Sequence, residues 1–297
     1  YERIKYYLSM PESIANKMPT STGEFSLRQW KEVHELFASG DISISDIEPS
    51  VLSYGDAQAD AIVGTFDREK EKLSECQLLF IALYPGDVLE FLSANAVYIS
   101  RGALAVDCAG VKRAVCAGAE KIARENGFIF IGGHPMAGRE HSGYAFSDGG
   151  LFKGASMLLT PPEDMDGGII EKLKELFISL GFKQVVLTTP EKHDRIIAYT
   201  SQLAHIVSSA YIKSPTALEQ SGFSAGSFKD MTRVARLNER MWTELFMDNR
   251  DNLIEEIEIL QRHLEEYRAA LLGGEQARLH SLLKEGRLLK EKSDSFN

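Results

Sequence analysis

The sequence predicts a doubly wound α/β domain followed by an all-helical domain. Apolar runs typical of strands buried on both faces alternate with amphipathic helical segments from about residue 73 to residue 190. These runs end in proline, glycine or an acid, as strands do before a turn. After Pro190 the strand pattern stops and helical periodicity takes over. We therefore expect an α/β domain at 1–190 and a helical domain at 191–297.

The α/β prediction depends on five apolar runs and the helical segments between them. The predicted strands are Gln77–Pro85, Ala103–Gly110, Phe128–Pro135, Ser156–Pro161 and Lys183–Pro190. The predicted helices are Asp87–Ile99, Val111–Gly127 and Ile169–Gly181, in which apolar residues recur at spacings of three and four. The pair Asn126-Gly127 should end the second of these helices, because glycine is favoured just past a helix C-terminus.

Two long helices are predicted in the second domain. The first covers Glu191–Ile212, with Pro190 at a position that the first helical turn tolerates. In the second, an apolar seam follows spacings of four and three, and it consists of Leu253, Ile257, Leu260, Leu264, Tyr267 and Leu271. This seam needs a cover, which either the chain itself or a second subunit could supply.

Composition excludes several classes of function. The net charge of −10 disfavours binding to nucleic acid or to anionic membranes. No apolar run approaches the roughly 20 residues of a membrane span, and the opening segment lacks a signal-peptide pattern. Three cysteines without a CxxC pair predict neither disulfides nor a zinc site. We expect a cytoplasmic protein without a metal.

The first 45 residues are atypical for a dinucleotide-binding fold. Such a fold begins with a strand and a glycine-rich turn that lets the backbone approach a pyrophosphate. No GxGxxG pattern occurs here, and Gly23 is the first glycine. The stretch DISISDIEPS nevertheless resembles the second strand of such a fold. It includes Asp46, an acid placed to bind a ribose hydroxyl and to select NAD over NADP.

Three segments carry residues suited to chemistry. The densest is GGHPMAGREHSG, which follows a predicted strand and contains His134 and Glu140. A histidine at the carboxyl end of a strand is a candidate acid or base near neutral pH. His205 lies in the apolar stretch SQLAHIVSSA, where a buried structural histidine is the simpler reading. Lys229 and Arg233 follow a glycine-serine stretch, and an arginine there could anchor a carboxylate or be a solvated charge.

Five segments in order resemble the prephenate dehydrogenase family, which includes the arogenate dehydrogenases. In chain order they are DCAGVK, HPMAGRE followed by SG, PEKHD, SQLAH, and GSFKDMTRVA with the later Met-Trp pair. The resemblance runs from about Asp46 to the C-terminus. It implies a Rossmann domain, a helical dimerisation domain, a homodimer, and NAD-dependent oxidation of prephenate or arogenate with loss of the ring carboxylate in tyrosine biosynthesis.

The resemblance also implies roles for individual residues. His134 would take the proton of the ring hydroxyl, and His205 and Glu140 would complete the catalytic group, with Glu140 as a gate or orienting acid. The substrate would be held by Arg233 and His205, with Lys229 and Gly110 beside it. The remaining expected contacts are those of the cofactor, with Asp46, Tyr84, Pro85 and Asp107.

Departures from the family pattern leave an alternative open. Gly110 replaces a serine that is common in the family, and Gln202 replaces a histidine. Together with the missing glycine-rich turn, these departures allow a non-catalytic homologue that binds the substrate but not NAD.

Overall fold

A five-stranded sheet forms the core of the first part of the chain. The computed structural model describes residues 73–138 and 149–295. The strands are β1 (Leu78–Ile81), β2 (Leu104–Asp107), β3 (Ile129–Pro135), β4 (Ser156–Thr160) and β5 (Gln184–Leu187), in the spatial order β1-β2-β3-β4-β5. All five predicted strands are confirmed, with bounds shorter than the apolar runs.

The sheet is mixed. Strands β1, β2 and β3 pair in parallel, β4 runs antiparallel to β3, and β5 is parallel to β4. The apolar runs did not predict the antiparallel pairing of β3 and β4, because a run of buried residues does not indicate the direction of a strand. Its consequence is that the second half of β3 extends beyond its pairing with β2 and pairs with β4, where His134 lies opposite Leu158.

Helices cover both faces of this sheet. The first three are α1 (Pro85–Asn95), α2 (Arg113–Asn126) and α3 (Gly167–Ser179). Phe130 of β3 packs in one apolar cluster with residues of α1 and α2, whereas the next residue, Ile131, packs in a second cluster with residues of α3. This alternation is what a strand buried on both faces requires, and it confirms the doubly wound Rossmann-like class. Helix α2 ends at Asn126, and Gly127 follows with φ of 82°, as predicted.

The remainder of the chain is helical. Its helices are α4 (Pro190–Ile197), α5 (Ala204–Tyr211), α6 (Gly226–Thr232), α7 (Glu239–Asp248), α8 (Arg250–Leu272) and α9 (Gln276–Asp294). The long helix predicted over Glu191–Ile212 is interrupted by a π-helical segment, Ala198–Leu203. The apolar spacing in this stretch predicted one continuous α-helix and did not indicate the π-helical segment. None of the helices in the described ranges combines the length and the apolarity that crossing a bilayer requires.

The chain divides into two compact units. The first comprises the residues up to Asp194 together with Arg236–Asp248, and the second comprises Arg195–Ala235 and Asn249–Asn297. The segment that contains α7 therefore groups with the α/β unit, although the sequence placed it in the helical domain. A hydrogen bond from the Gly86 amide to Glu244 Oε1, 2.9 Å long, joins α7 to the start of α1.

The glycine pair before His134 is fixed by close packing. A Cβ atom at Gly133 would meet the carbonyl oxygen of Asp107 and, at 2.8 Å each, the side chains of Met157 and Val106. Backbone atoms cannot rotate away, so any added atom forces strands β2 and β3 apart. A glycine here thus allows β3 to carry its last residues close against β2.

We expect Gly133→Ala to lower the free energy of unfolding by about 1–3 kcal/mol or more, the usual cost of overpacking a core. Urea denaturation monitored by circular dichroism measures it. The control is Gly167→Ala, because a Cβ at that helix-starting position meets nothing within 4 Å. Equal stability of the two variants would contradict this account of the glycine pair.

Candidate active site

His134 is held at the carboxyl edge of the sheet. Its backbone belongs to β3 and pairs with β4, so the side chain projects from a rigid element and not from a loop. The ring is half-buried. A Cβ atom built on Gly110, which follows β2, would lie 4.0 Å from His134 Nε2. The ends of β2 and β3 therefore bring Gly110 and His134 together.

On the other side of the His134 ring, two further side chains extend a series of hydrogen bonds. His134 Nδ1 lies 2.9 Å from His193 Nε2, and His193 Nδ1 lies 2.7 Å from Asp194 Oδ1. His193 and Asp194 are almost completely buried. All these distances are those of good hydrogen bonds, so His134, His193 and Asp194 form one continuous chain of side chains. We call it the histidine chain.

Asp194 is anchored by the beginning of α2. Its Oδ1 accepts the backbone N–H of Lys112 at 2.8 Å, and its Oδ2 accepts that of Arg113 at 2.9 Å. Burial alone would raise the pKa of Asp194. The hydrogen bonds from His193, Arg113 and Lys112 outweigh it, and the net effect lowers the pKa. Asp194 is therefore an anion at neutral pH and accepts hydrogen bonds through both oxygens.

An ionised Asp194 together with a neutral His193 would fix the hydrogen atoms along the histidine chain. Because the carboxylate only accepts, His193 must donate from Nδ1, and a neutral His193 then has a lone pair at Nε2. His134 consequently donates from its own Nδ1, which leaves His134 Nε2 unprotonated. That nitrogen is on the Gly110 side of the ring. The hydrogen-bond pattern thus presents a basic nitrogen at the edge of the sheet.

The environment keeps His134 neutral. Burial lowers its pKa to about 3; a positive charge on His193 would act in the same direction, the Lys112 cation adds to the lowering, and Asp194 opposes it. The ring is therefore free to accept a hydrogen bond at neutral pH. A base with so low a pKa, however, would be a poor final holder of a proton.

A buried ion pair fixes the ends of β2 and β3 next to this ring. Lys112 Nζ forms an ion pair with Asp107 Oδ2 and donates to the Gly133 carbonyl at 2.6 Å. The other Asp107 oxygen accepts the Gly133 amide at 3.0 Å, and Asp107 Oδ2 also accepts the Ala109 amide at 2.9 Å. Neither Asp107 nor Lys112 is exposed to solvent. These bonds engage Asp107 within the protein, and its contact with a cofactor remains a prediction.

The residues that follow β1 lie at the edge of the sheet where ligands bind. Ligands of open α/β sheets bind outside the carboxyl ends of the strands. Tyr84 and Pro85 lie there, at the start of α1, and the Tyr84 side chain is 36% exposed. An aromatic ring and a proline can form an apolar wall for a planar ring. Asp46 and Glu140 lie outside the described residues.

Gly110 has space for only a small side chain. A Cβ atom there would lie 3.2 Å from Leu245 Cδ2 of α7, within the same unit. The missing serine thus removes a hydroxyl next to His134 Nε2, and Leu245 occupies part of the space beside it.

The second unit contains the other predicted residues. His205 is on α5, and its Nδ1 lies 3.1 Å from the Val234 carbonyl, to which it donates. Burial lowers the pKa of His205, the Val234 hydrogen bond opposes this effect, and the charge of Arg233 adds to the lowering. His205 and Arg233 therefore interact electrostatically, and Lys229 is exposed on α6. The ring is half-buried and hydrogen-bonded, so the role of His205 at the substrate remains a prediction beside its role as a structural histidine.

Gln202 has a structural partner in this unit. It is buried in the π-helical segment and accepts a 2.8 Å hydrogen bond from Asn249 Nδ2, and Asn252 in turn donates to Asn249 Oδ1 at 2.8 Å. Amide groups here connect the π-helical segment to α8. The glutamine at this position is therefore satisfied without a titratable ring.

Sequence reasoning gave no role to His193, Asp194 or Lys112. A signal existed, since PEKHD and DCAGVK were both among the segments of the family resemblance. What was missing was that the end of β3, the start of α2 and the first turn of α4 meet. This contact arises from the tertiary structure, and the spacing of residues in the sequence does not predict it.

Two family models match successive parts of this chain. A family model described as "Prephenate dehydrogenase, nucleotide-binding domain" matches residues 39–188, and one described as "Prephenate dehydrogenase, dimerization domain" matches residues 189–285. Prephenate dehydrogenase of Lactococcus lactis is 28% identical over 73% of this chain and 61% of its own length. That of Bacillus subtilis is 32% identical over 48% of this chain and 39% of its own length. The chain thus spans less than two thirds of either relative.

Solved structures show the same fold. Arogenate dehydrogenase of Synechocystis is 27% identical, with a TM-score of 0.65 and coverage of 76% of this chain and 82% of that chain. Prephenate dehydrogenase of Aquifex aeolicus in complex with hydroxyphenyl propionate and NAD+ is 24% identical, with a TM-score of 0.66 and coverage of 76% and 80%. The second likeness concerns the fold alone. With the two family models matching in succession over most of its length, the chain belongs to the prephenate dehydrogenase family.

Proposed function

We propose that this chain is an NAD-dependent dehydrogenase that oxidises prephenate, or its amino-acid counterpart arogenate, with loss of the ring carboxylate. Members of the family are dehydrogenases, which supports the class of reaction. The observation that carries the proposal is the hydrogen bond of His134 Nδ1 to the buried His193–Asp194 pair, at the carboxyl edge of a Rossmann-like sheet, from which we infer an unprotonated Nε2. A neutral, oriented base at that edge is what removal of a hydroxyl proton requires.

His134 would act on the ring hydroxyl of the substrate. Its Nε2 would accept a hydrogen bond from that hydroxyl and take the proton as the C–H bond at the same carbon breaks. When bound, the oxidised nicotinamide supplies an acceptor for the hydride. The strand that carries His134 and the tautomer set by His193 would hold the nitrogen ready, so little reorganisation is needed at the moment of reaction.

Cationic and polar groups would bind the carboxylates of the substrate. We assign this role to Arg233 with His205, because a guanidinium pairs with a carboxylate through two hydrogen bonds and the two residues already interact. Lys229 and Gly110 would lie beside the substrate, and Glu140 would orient it or gate its entry. Tyr84 and Pro85 would line the nicotinamide, and Asp46 would bind the ribose and select NAD+ over NADP+.

Assays with both substrates and both nucleotides test this function. We expect NADH formation, followed by absorbance, with prephenate or arogenate and NAD+, and a lower kcat/KM with NADP+. A chain that binds either substrate in calorimetry yet reduces no nucleotide would instead be the non-catalytic homologue. No observation in the described residues favours that alternative, since the histidine chain is complete there.

His134→Asn tests the base. We expect kcat to fall by about 10²- to 10⁴-fold, the usual contribution of a general base, with a smaller change in KM. The matched control is His280→Gln, which alters an exposed histidine on α9. Unchanged turnover in His134→Asn would refute the assignment.

Arg233→Ala tests the carboxylate anchor. We expect the KM of the substrate to rise about tenfold or more, because paired hydrogen bonds to a carboxylate are lost, while the melting temperature hardly changes for an exposed side chain. Arg236→Ala, an exposed arginine close by, is the control. A lower melting temperature with an unchanged KM would make Arg233 a structural residue.

A homodimer is the assembly that the second unit favours, and the match to a dimerization domain supports it. Within one chain Leu253 of the α8 seam is buried, but Leu264 is 58% and Leu271 is 65% exposed. Light scattering at micromolar concentration should give twice the 33.0 kDa of one chain. Leu264→Glu should weaken the dimer, and Leu218→Glu, at a 93% exposed leucine outside the seam, should not. A mass of 33.0 kDa for the unmodified chain would count against the proposal.

A further inference from the structure

We propose that His193 is the residue on which the substrate's hydroxyl proton rests during the reaction, with His134 acting as the bridge that passes the proton in and out. The proposal rests on the function proposed above and adds a second base to it. His193 does not face the substrate side of His134, so it acts through His134 and not by direct contact.

The geometry needs no movement of either ring. His134 Nδ1 and His193 Nε2 are 2.9 Å apart, and the two ring centroids are 5.1 Å apart with the planes inclined at 57°. In the resting state the hydrogen of this bond belongs to His134. When His134 Nε2 receives a proton, the Nδ1 hydrogen can cross to His193 Nε2 along the bond already present.

The charged groups around the histidine chain favour His193 over His134 as the residue that holds the extra proton. Burial, a positive charge on His193 and the Lys112 cation, in that order, act to lower the pKa of His134 to about 3. His193 instead has the Asp194 anion 2.7 Å from its Nδ1, in a setting where neither side chain contacts solvent. A positive His193 therefore forms a buried, hydrogen-bonded ion pair, whereas a positive His134 does not.

Other charged groups face this pair, and their arrangement leaves Asp194 available to His193. Arg113 Nε lies 3.4 Å from Asp194 Oδ2, on the oxygen that His193 does not use. Lys112 is itself paired with Asp107. From α7, Asp248 interacts with Asp194, and its pKa is raised by burial first and then by Glu244 and Asp194.

The proton balance of the reaction explains why a second base is useful: one proton is stored during oxidation and returned to the product. The substrate's O–H and C–H bonds break, the hydride passes to the nicotinamide, and the proton enters at His134 Nε2 while the Nδ1 hydrogen moves to His193. Loss of the ring carboxylate as CO₂ returns its bonding electrons to the ring, which becomes aromatic and leaves its oxygen as a phenolate. That oxygen takes the proton back from His134 Nε2, and the hydrogen on His193 returns to His134 Nδ1. The enzyme stores one proton and releases none.

His193→Gln separates proton storage from positioning. A glutamine amide can donate to Asp194 and accept from His134 Nδ1, which preserves the tautomer of His134, but it cannot hold an extra proton. We expect kcat to fall by about 10²-fold with the KM of both substrates near the unmodified values. The acid limb of the pH profile should move to lower pH, because His134, whose pKa is lowered to about 3, is the base that remains. His280→Gln should have neither effect.

Solvent isotope effects count the protons in motion. In mixtures of light and heavy water, the hydride step of the unmodified chain should depend on deuterium fraction along a curve, as two transferring protons require. In His193→Gln the dependence should become linear. Full turnover in His193→Gln, or a linear dependence in the unmodified chain, would overturn the relay.

A titration of the unmodified chain shows which of the two histidines holds an added proton. This test requires neither enzymatic activity nor a folded variant. ¹⁵N NMR of labelled histidines should show that acidification first makes His193 doubly protonated and leaves His134 Nδ1 without hydrogen. Double protonation of His134 beside a neutral His193 would overturn the proposal. If no substrate is oxidised with either nucleotide, the proposed function fails, and this titration still shows which ring holds the proton.

Discussion

The carboxylate of Asp194 is the constraint on which the candidate site depends. A buried anion is costly unless it is fully hydrogen-bonded, and this one receives N–H groups from His193 and from the backbone of Lys112 and Arg113. The two backbone donors are the unsatisfied amides at the start of α2, where the helix dipole also favours a negative charge. One group thus completes the helix terminus and sets the tautomers of both histidines. The Asp194 carboxylate therefore stabilises the start of α2 and also orients the two histidines of the candidate site.

A second buried pair, Lys112 with Asp107, controls how close the strands approach. Lys112 bonds to the Gly133 carbonyl and Asp107 bonds to the Gly133 amide, so both polar groups of the residue before His134 are engaged. The absence of a side chain at Gly133 is what permits this approach. The electrostatic consequence is a cation near His134 that opposes its protonation. The same contact that positions the base also weakens it, which is why a partner such as His193 matters.

The sequence predicted the helices and strands better than the tertiary contacts between them. Continuous apolar runs located β1 to β5 because burial on both faces leaves a clear pattern, and Asn126-Gly127 located the end of α2 because glycine alone adopts its backbone angles readily. The antiparallel β4 and the π-helical segment Ala198–Leu203 had no such pattern. Of the candidate site, the sequence located His134 from its motif, but His193 is 59 residues away and was paired with it only by the fold. The predictions for Asp46 and Glu140 concern residues outside those described.

The central claim is that an ionised Asp194 leaves His134 Nε2 unprotonated, and neutron diffraction of deuterium-exchanged crystals at neutral pH tests it most directly. We expect deuterium on His193 Nδ1 and on His134 Nδ1, and none on His134 Nε2 or on the carboxylate of Asp194. Deuterium on His134 Nε2, or on an oxygen of Asp194, would contradict it, because the ring would then donate toward the substrate side and could not act as the base.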